Sequence, residues 1–281
     1  MSPLSVRAVV AGMSLAMALI VGGDAAGKLL TSAGVAPALV AWARFSIAGV
    51  LLVPLGLRDW RRLAEWQLWL RAALIAGGIA CILTALRSVP LADAFAAFFV
   101  GPVVSYLLSV LLLGERVSAA RTALLVLSFG GVLIVVRPGG EMQPGIGWAL
   151  AAGCFYGSYL VATRALAPSY RPRFLLWSQL VAGSVLLAPF GVQAIPSPSW
   201  HMAALFAVSA LGSAFGNLIL VWLNRTVPAS VVAPLVYTQL LAAAGIGWLV
   251  FGDWPDATSW AGLAIIIGAG ALSVRVAARG G

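Results

Sequence analysis

The sequence predicts an all-α integral membrane protein: ten transmembrane helices arranged as two inverted five-helix repeats. Three observations carry this. Of the 281 residues, 62% are hydrophobic and only 9% are charged, against roughly 25% charged in an ordinary soluble domain, and the mean hydropathy is +1.03. Such a chain cannot cover a water-facing surface, which excludes a cytosolic or secreted enzyme, a disordered tail and a collagenous fibre. Apolar residues also fall into ten runs long enough for a hydrocarbon core of about 30 Å, which needs ~20 helical residues. Finally, the second half of the chain repeats features of the first in register.

The runs cover roughly 8–28, 36–57, 68–88, 91–113, 119–137, 145–166, 173–192, 200–223, 229–251 and 258–278. The first is too long for a signal peptide, lacks a small-residue cleavage pattern at its end and is followed by nine more. Between the second and third, Arg58 to Trp66 carries Trp60, Arg61, Arg62 and Glu65 and reads as an interfacial segment. The other connections are short, so no soluble domain fits between spans. Most tryptophans, among them Trp60, Trp66, Trp69, Trp200 and Trp260, lie near span ends as interfacial anchors. With the N-terminus in the cytoplasm, thirteen basic residues (Arg7, Arg58, Arg61, Arg62, Arg71, Arg116, Arg121, Arg164, Arg171, Arg173, Arg225, Arg275 and Arg279) fall on the inner side. Lys28, Arg87 and Arg137 fall on the outer side, and Arg44 lies within a span. That bias places both termini inside and accounts for the net charge of +9 without a nucleic-acid partner.

A shift of 138 positions lays Arg87, Val89 and Pro90 on Arg225, Val227 and Pro228. It also lays Gly114-Glu115 on Gly252-Asp253, Gly130 on Gly268 and Arg137 on Arg275. Nearby shifts lay Arg44 on Gln179 and Lys28 on Arg164. Each half holds five spans, an odd number, so the second copy enters the membrane from the opposite side. Inverted repeats of this kind occur in secondary transporters, whose substrate sits near the midplane between the halves.

Polar groups inside the spans are the candidate site. Asp24 and Lys28 share one helix face, and Arg44 lies about eight residues into the second span from the same side. A charge there costs at least ~2.5–3.5 kcal/mol on insertion scales, so it faces protein or a wet cavity. The three groups read either as structural pairs, Asp24 with Arg44 or with Lys28, or as a clamp for a substrate carboxylate or phosphate, with Asp24, Lys28 and Gln179 serving coupling or gating. Gln179 and Asn217 offer interhelical hydrogen bonds or a cytoplasm-side substrate contact. Tyr156 and Tyr159 in span 6, Tyr237 and Gln239 in span 9 and Phe99 in span 4 are amphipathic groups at mid-membrane depth, suited to stacking on a flat ligand or to ordinary packing. Leu187 and Ile266 are expected to face lipid. Gly23-x3-Gly27, Gly153-x3-Gly157 and Gly212-x3-Gly216 permit close helix contact inside the bundle, or a dimer face; monomer and homodimer both stay open. Gly22-x4-Gly27-Lys28 approaches a phosphate-binding loop, but Leu29 stands where Ser or Thr must hold magnesium. One histidine, His201, and two cysteines without ligand spacing, Cys81 and Cys154, support no metal site, and no cofactor is expected.

The run Ala92-Asp93-Ala94-Phe95-Ala96-Ala97-Phe98-Phe99, then Pro102, then Leu111-Leu112-Leu113-Gly114-Glu115-Arg116-Val117-Ser118, resembles the EamA repeat of the drug/metabolite transporter superfamily. Gly130-Gly131-Val132-Leu133-Ile134 continues the likeness, and Gly145 to Arg164 resembles the start of a second unit. The resemblance implies units at 1–139 and 140–281, a central cavity bordered by spans 4 and 9, and a permease of the bacterial inner membrane. The second unit departs from the pattern, with Gly252-Asp253 for Gly-Glu and no proline at Leu240. Gly23-Asp24-Ala25-Ala26-Gly27-Lys28 with Trp42-Ala43-Arg44-Phe45 is similar to a branch that imports riboflavin and S-adenosylmethionine. The expected activity is alternating-access transport of a small organic metabolite such as an amino acid, a flavin or an S-adenosylmethionine-like compound, driven by a gradient. The alternatives are an integral-membrane enzyme, for which the sequence offers no Gly-x-Ser-x-Gly, histidine cluster or paired carboxylates in one span, and a channel, for which it offers no ring of like charge.

Overall fold

In hydrocarbon every backbone N–H and C=O must find a partner within the chain, and a helix does this locally. The apolar runs accordingly become helices in the structure, a computed structural model that describes residues 6–114, 119–137, 142–191, 199–226 and 233–279. The α-helices of eight residues or more are α1 (Val6–Ser32), α2 (Pro37–Leu51), α3 (Trp66–Ala85), α4 (Leu91–Phe98), α5 (Gly101–Leu113), α6 (Ala119–Val136), α7 (Ile146–Leu166), α8 (Pro172–Gly191), α9 (Trp200–Thr226), α10 (Thr238–Ile246) and α11 (Ala257–Arg279). Among the described residues, six apolar helices are long enough to cross a membrane and four more are shorter. Among the described residues the secondary structure is helical throughout, and the protein is a multi-pass membrane protein. Glu115 to Ser118, with Arg116, lie outside the described residues, as do Val227 and Pro228.

Three apolar runs expected as single helices are broken, and the second turns at Leu52 between α2 and a short helix, Val53–Gly56. The fourth is α4 followed by α5, with a turn at Phe99 and Val100. Pro102 stands in the first turn of α5, where its missing N–H leaves nothing unsatisfied, whereas in a continuous helix its ring would press on the carbonyl of Phe98. The ninth begins as a 3₁₀ turn, Ala233–Tyr237, continues as α10 and ends in a wider π turn, Gly247–Phe251. Gly114 and Gly252 both close their segments in the left-handed conformation, at φ 66° and 74°, which glycine adopts without a Cβ clash. The 138-residue shift superimposes these two glycines. The interfacial segment after α2 is a 3₁₀ helix, Leu57–Ala64, bearing exposed Arg58 and Trp60.

Packing follows a regular pattern. Helix α1 lies against α9, and α3 lies against α7. Helix α2 lies against α8, α6 against α11, and α4 against α10. Secondary contacts join α3 to α8 and α2 to α9. Small residues set the spacing. A Cβ on Gly23 would lie 2.9 Å from the Ser209 carbonyl, and one on Gly212 would lie 2.8 Å from that of Leu19, so α1 and α9 meet backbone to backbone. Gly153 and Gly157 hold α7 against Phe98 and Gly101 in the same way. The glycine motifs therefore pack the bundle internally. Leu187 and Ile266 do not face lipid: both are buried, in the seams α2–α8 and α6–α11, where Gly131 approaches Ile266. An isolated apolar position carries no mark of which side of its helix meets protein.

Candidate functional site

Helices α2, α3, α7, α8 and α9 enclose a cavity of about 460 Å³, within the usual ~300–1,000 Å³ of a small-molecule site. Its wall is mostly aliphatic. The polar groups that reach it are Arg44, Arg71, Tyr156, Tyr159, Thr163, Gln179, Ser213 and Asn217, and no carboxylate is among the described lining residues. Ala167, just after α7, and Pro172, the first residue of α8, line the cavity and are exposed, so its mouth lies at the end of the bundle that carries the α2–α3 and α7–α8 connections.

Arg71 is the hub. It follows Trp66 by little more than one turn of α3, and its side chain is 2% exposed. Nε donates to the Thr163 hydroxyl at 2.8 Å, and Nη1 donates to the Leu175 carbonyl at 2.8 Å. Nη2 donates to the Tyr159 hydroxyl at 3.0 Å and to Gln179 Oε1 at 2.7 Å. Tyr159 in turn donates to the same Gln179 oxygen at 2.7 Å, and its ring lies 4.9 Å from the guanidinium. Tyr156 lies 6.0 Å from Tyr159 in a stacked arrangement and 5.0 Å from Phe98. The sequence counted Arg71 only as one of thirteen inner charges and not among the site residues, whereas the structure buries it in the cavity wall. Its position near the start of a span looked like that of a charge reaching back to water. Its partners come from the other half of the chain, which no local pattern reveals.

Arg44, in the middle of α2, is 5% exposed and donates through Nη1 to Asp24 Oδ1 at 2.5 Å, while its Nε has no partner. Of the two pairings open to Asp24, the structure forms the one with Arg44. Lys28 points away from the cavity. It donates to the Val89 carbonyl at 3.1 Å and to Asp253 Oδ2 at 3.0 Å, with its ammonium 4.6 Å from the Phe251 ring. This joins α1 to the loop after the ninth segment, at the end of the bundle opposite the mouth. The same end holds the Gln143 amide against Asp93 at 2.6 Å and the Arg137 guanidinium against Asp256. Arg137 and the Ser259 amide hold the Asp256 carboxyl down to about 2. At the mouth, the Tyr170 hydroxyl and Arg62 hold the Glu65 carboxyl below its ordinary range, and Arg62 also reaches the Ser169 carbonyl at 2.9 Å, tying the α2–α3 connection to the α7–α8 connection.

Of the residues singled out in the sequence, the structure brings Arg44, Tyr156, Tyr159, Gln179 and Asn217 into one cavity wall, with Asp24 behind Arg44. Tyr237, Gln239 and Phe99 do not line it. The Tyr237 ring packs 5.1 Å from Phe99 and against Gly270 of α11, and Gln239 is buried on α10. Asn217 donates to its own helix, at the Ser213 carbonyl, over 2.8 Å.

The sequence matches one transporter family twice, over residues 6–137 and again over 143–275, as EamA-like transporter family. The chain belongs to the EamA-like transporter family. The two matches together cover nearly the whole length. A riboflavin transporter from Rhizobium johnstonii is 29% identical over 79% of this chain and 74% of its own. A pseudopaline exporter from Pseudomonas aeruginosa is 29% identical over 72% of each. An S-adenosylmethionine uptake transporter from Rickettsia felis is 26% identical over 81% of this chain and 79% of its own. One solved structure shares the fold at a TM-score of 0.65 and 20% identity, covering 96% of this chain and 98% of that one. This EamA-like protein is thus a membrane transporter of the drug/metabolite type.

Proposed function

We propose that the chain carries a small organic metabolite across a bacterial inner membrane by alternating access, the substrate occupying the cavity between two inverted five-helix units, 1–139 and 140–281. The observation that carries this reading is the cavity itself, which is built from both halves, reachable from one end of the bundle and tied shut at the other. The packing pattern supports the inverted arrangement. Exchanging the five segments of one half for those of the other turns the α1–α9 contact into α7–α3 and the α3–α8 contact into α9–α2, and it returns α2–α8, α6–α11 and α4–α10 to themselves. A twofold relation between the halves produces this set. With five crossings in each unit, the axis lies in the membrane plane and the site can be reached alike from both sides.

The basic residues of the connections still favour cytoplasmic termini after Arg71 is removed from the count, twelve against three. On that orientation the mouth beside Ala167 and Pro172 faces the cytoplasm. The sequence holds no nucleotide-hydrolysis motif, so the driving force is a gradient of substrate, protons or an exchanged solute, and the reading implies no catalytic chemistry. The relatives' cargoes are chemically unlike one another, which fits a mostly aliphatic wall with a few polar anchors. Proteoliposomes holding the purified protein test the reading. Saturable uptake of a flavin, an amino acid or S-adenosylmethionine, accelerated by unlabelled solute on the far side, is expected. Non-saturating flux without counterflow from every such solute would replace the carrier with a pore.

A further inference from the structure

Two guanidinium groups line one cavity, and only one of them has a counter-ion. Arg44 is neutralised by Asp24 yet keeps Nε unpartnered, although the side chain is 5% exposed. Arg71, 2% exposed, is held by four acceptors that are all uncharged: a hydroxyl, a main-chain carbonyl, a phenol and an amide oxygen. Those bonds satisfy most of its donors but leave the charge itself uncompensated. A cation at this depth is expensive to hold without an anion nearby. The stacked rings of Tyr156 and Tyr159 stand beside it, with the Tyr159 hydroxyl already touching Nη2. No described lining residue carries a negative charge, so a cationic solute finds no partner there.

Resting on the reading of this cavity as the metabolite site, we propose that Arg71, with the free edge of Arg44, forms a seat for an anionic group, a carboxylate or a phosphate, on a metabolite whose planar ring lies against Tyr156 and Tyr159. An anion entering from the mouth supplies the missing counter-charge. It shares the Arg71 guanidinium with Gln179 and Tyr159, and Arg44, whose Nε has no partner, stands in the same cavity wall. Charge-assisted bonds of this kind are about twice as strong as neutral ones, and guanidinium suits both oxyanions because its planar fork matches their oxygens. Asp24 keeps the seat at a single net positive charge. Because Thr163, Leu175 and Gln179 also bind Arg71 to the neighbouring helices, it is a binding residue and a structural tie at once, and the test must separate the two roles.

Binding is read as the shift in melting temperature of the detergent-solubilised protein over a ligand titration. Indole-3-acetate, indole-3-ethanol and tryptamine share a ring and differ in charge. Riboflavin 5′-phosphate and riboflavin form a second pair, and the two sets distinguish a carboxylate seat from a phosphate seat. The expected result is that the anion of at least one set binds at least about tenfold tighter than its neutral counterpart, with tryptamine weakest. Arg71→Gln should level that ranking, and Arg71→Lys should keep part of it. A purely structural Arg71 would weaken all probes together and leave the ranking intact, which would overturn the proposal. Neutral or cationic probes binding as well as anionic ones in the unsubstituted protein would also overturn it, while leaving the cavity as a metabolite site. If neither these probes nor any other small metabolite bound or was transported, the cavity reading would fall and the anion seat with it.

Discussion

Arg44 and Asp24 meet at 2.5 Å with each side chain almost wholly buried. Removing one partner of such a pair leaves an uncompensated charge in a medium that cannot solvate it, which costs ~3–5 kcal/mol, whereas removing both is often close to neutral. Arg44→Ala should therefore lower the melting temperature and the yield of folded protein sharply, and Arg44→Ala combined with Asp24→Ala should recover most of the loss in stability. Arg58→Ala and Arg62→Ala should change stability little, since Arg58 is exposed and the Arg62–Glu65 pair is about 40% exposed on each side, a setting worth ~0–1 kcal/mol. Equal melting temperatures for Arg44→Ala and the parent protein would show that the pair is not structural. The burial of Arg44 was legible in the sequence because a charge in mid-span must face protein or a wet cavity. Arg71 was not legible, because a charge five positions from Trp66 is what an interfacial anchor looks like. Tyr237 and Gln239 were legible as polar groups at the right depth but not as facing α11 and the α10 seam, since a helix without amphipathic contrast does not announce which side it turns to the centre.

At the scale of the helix, sequence and structure agree wherever the chain marks its own boundaries. Gly114 ends α5 where the apolar run ends, whereas Pro102 stands in the first turn of α5 inside a run that reads as one helix. The break in the ninth segment, between the 3₁₀ turn and α10, lacks an equivalent proline at Leu240 and falls where the segment packs against α1, α4 and α11. The glycine motifs announce close approach without naming the partner. Gly157 illustrates the consequence: a Cβ there would collide with the Gly101 carbonyl and lie 3.0 Å from the Ser105 amide. Neither atom can rotate away, because both belong to the backbone of α5. Gly157→Ala should force α7 away from α5 at a cost of ~1–3 kcal/mol, displace Tyr156 and Tyr159 and impair transport. Gly268→Ala and Gly147→Ala, where a Cβ meets nothing within 4 Å, should be nearly silent in melting temperature and uptake. A stable, fully active Gly157→Ala protein would show that the α5–α7 contact is looser than its backbone geometry implies.

For the whole molecule, the ties at the two ends of the bundle set which conformation is populated. Lys28 joins α1 to the loop at Asp253, and Arg137 joins the end of α6 to Asp256 just before α11, so the closed end is held between segments of opposite halves. At the mouth, Glu65 and Arg62 join segments on either side without covering the cavity. A carrier alternates by loosening one set of ties while closing the other, and the balance between states shifts only by what distinguishes them. The Lys28–Asp253 pair stands at the end that is shut. Replacing both residues by alanine removes the tie without stranding a charge, and it should raise the population open at that end. Cysteine reporters read this directly, in a background where Cys81 and Cys154 are serine. Leu83, fully buried beside Gly27, should as Leu83→Cys become reactive to a membrane-impermeant maleimide when the tie is cut, while Ala167→Cys at the mouth should react more slowly. The two changes must be opposite in sign, because one cavity cannot be open at both ends in a carrier. Simultaneous gain of reactivity at both positions would indicate a pore, and no change at either would mean that the Lys28–Asp253 pair is an ornament of the closed end rather than a gate.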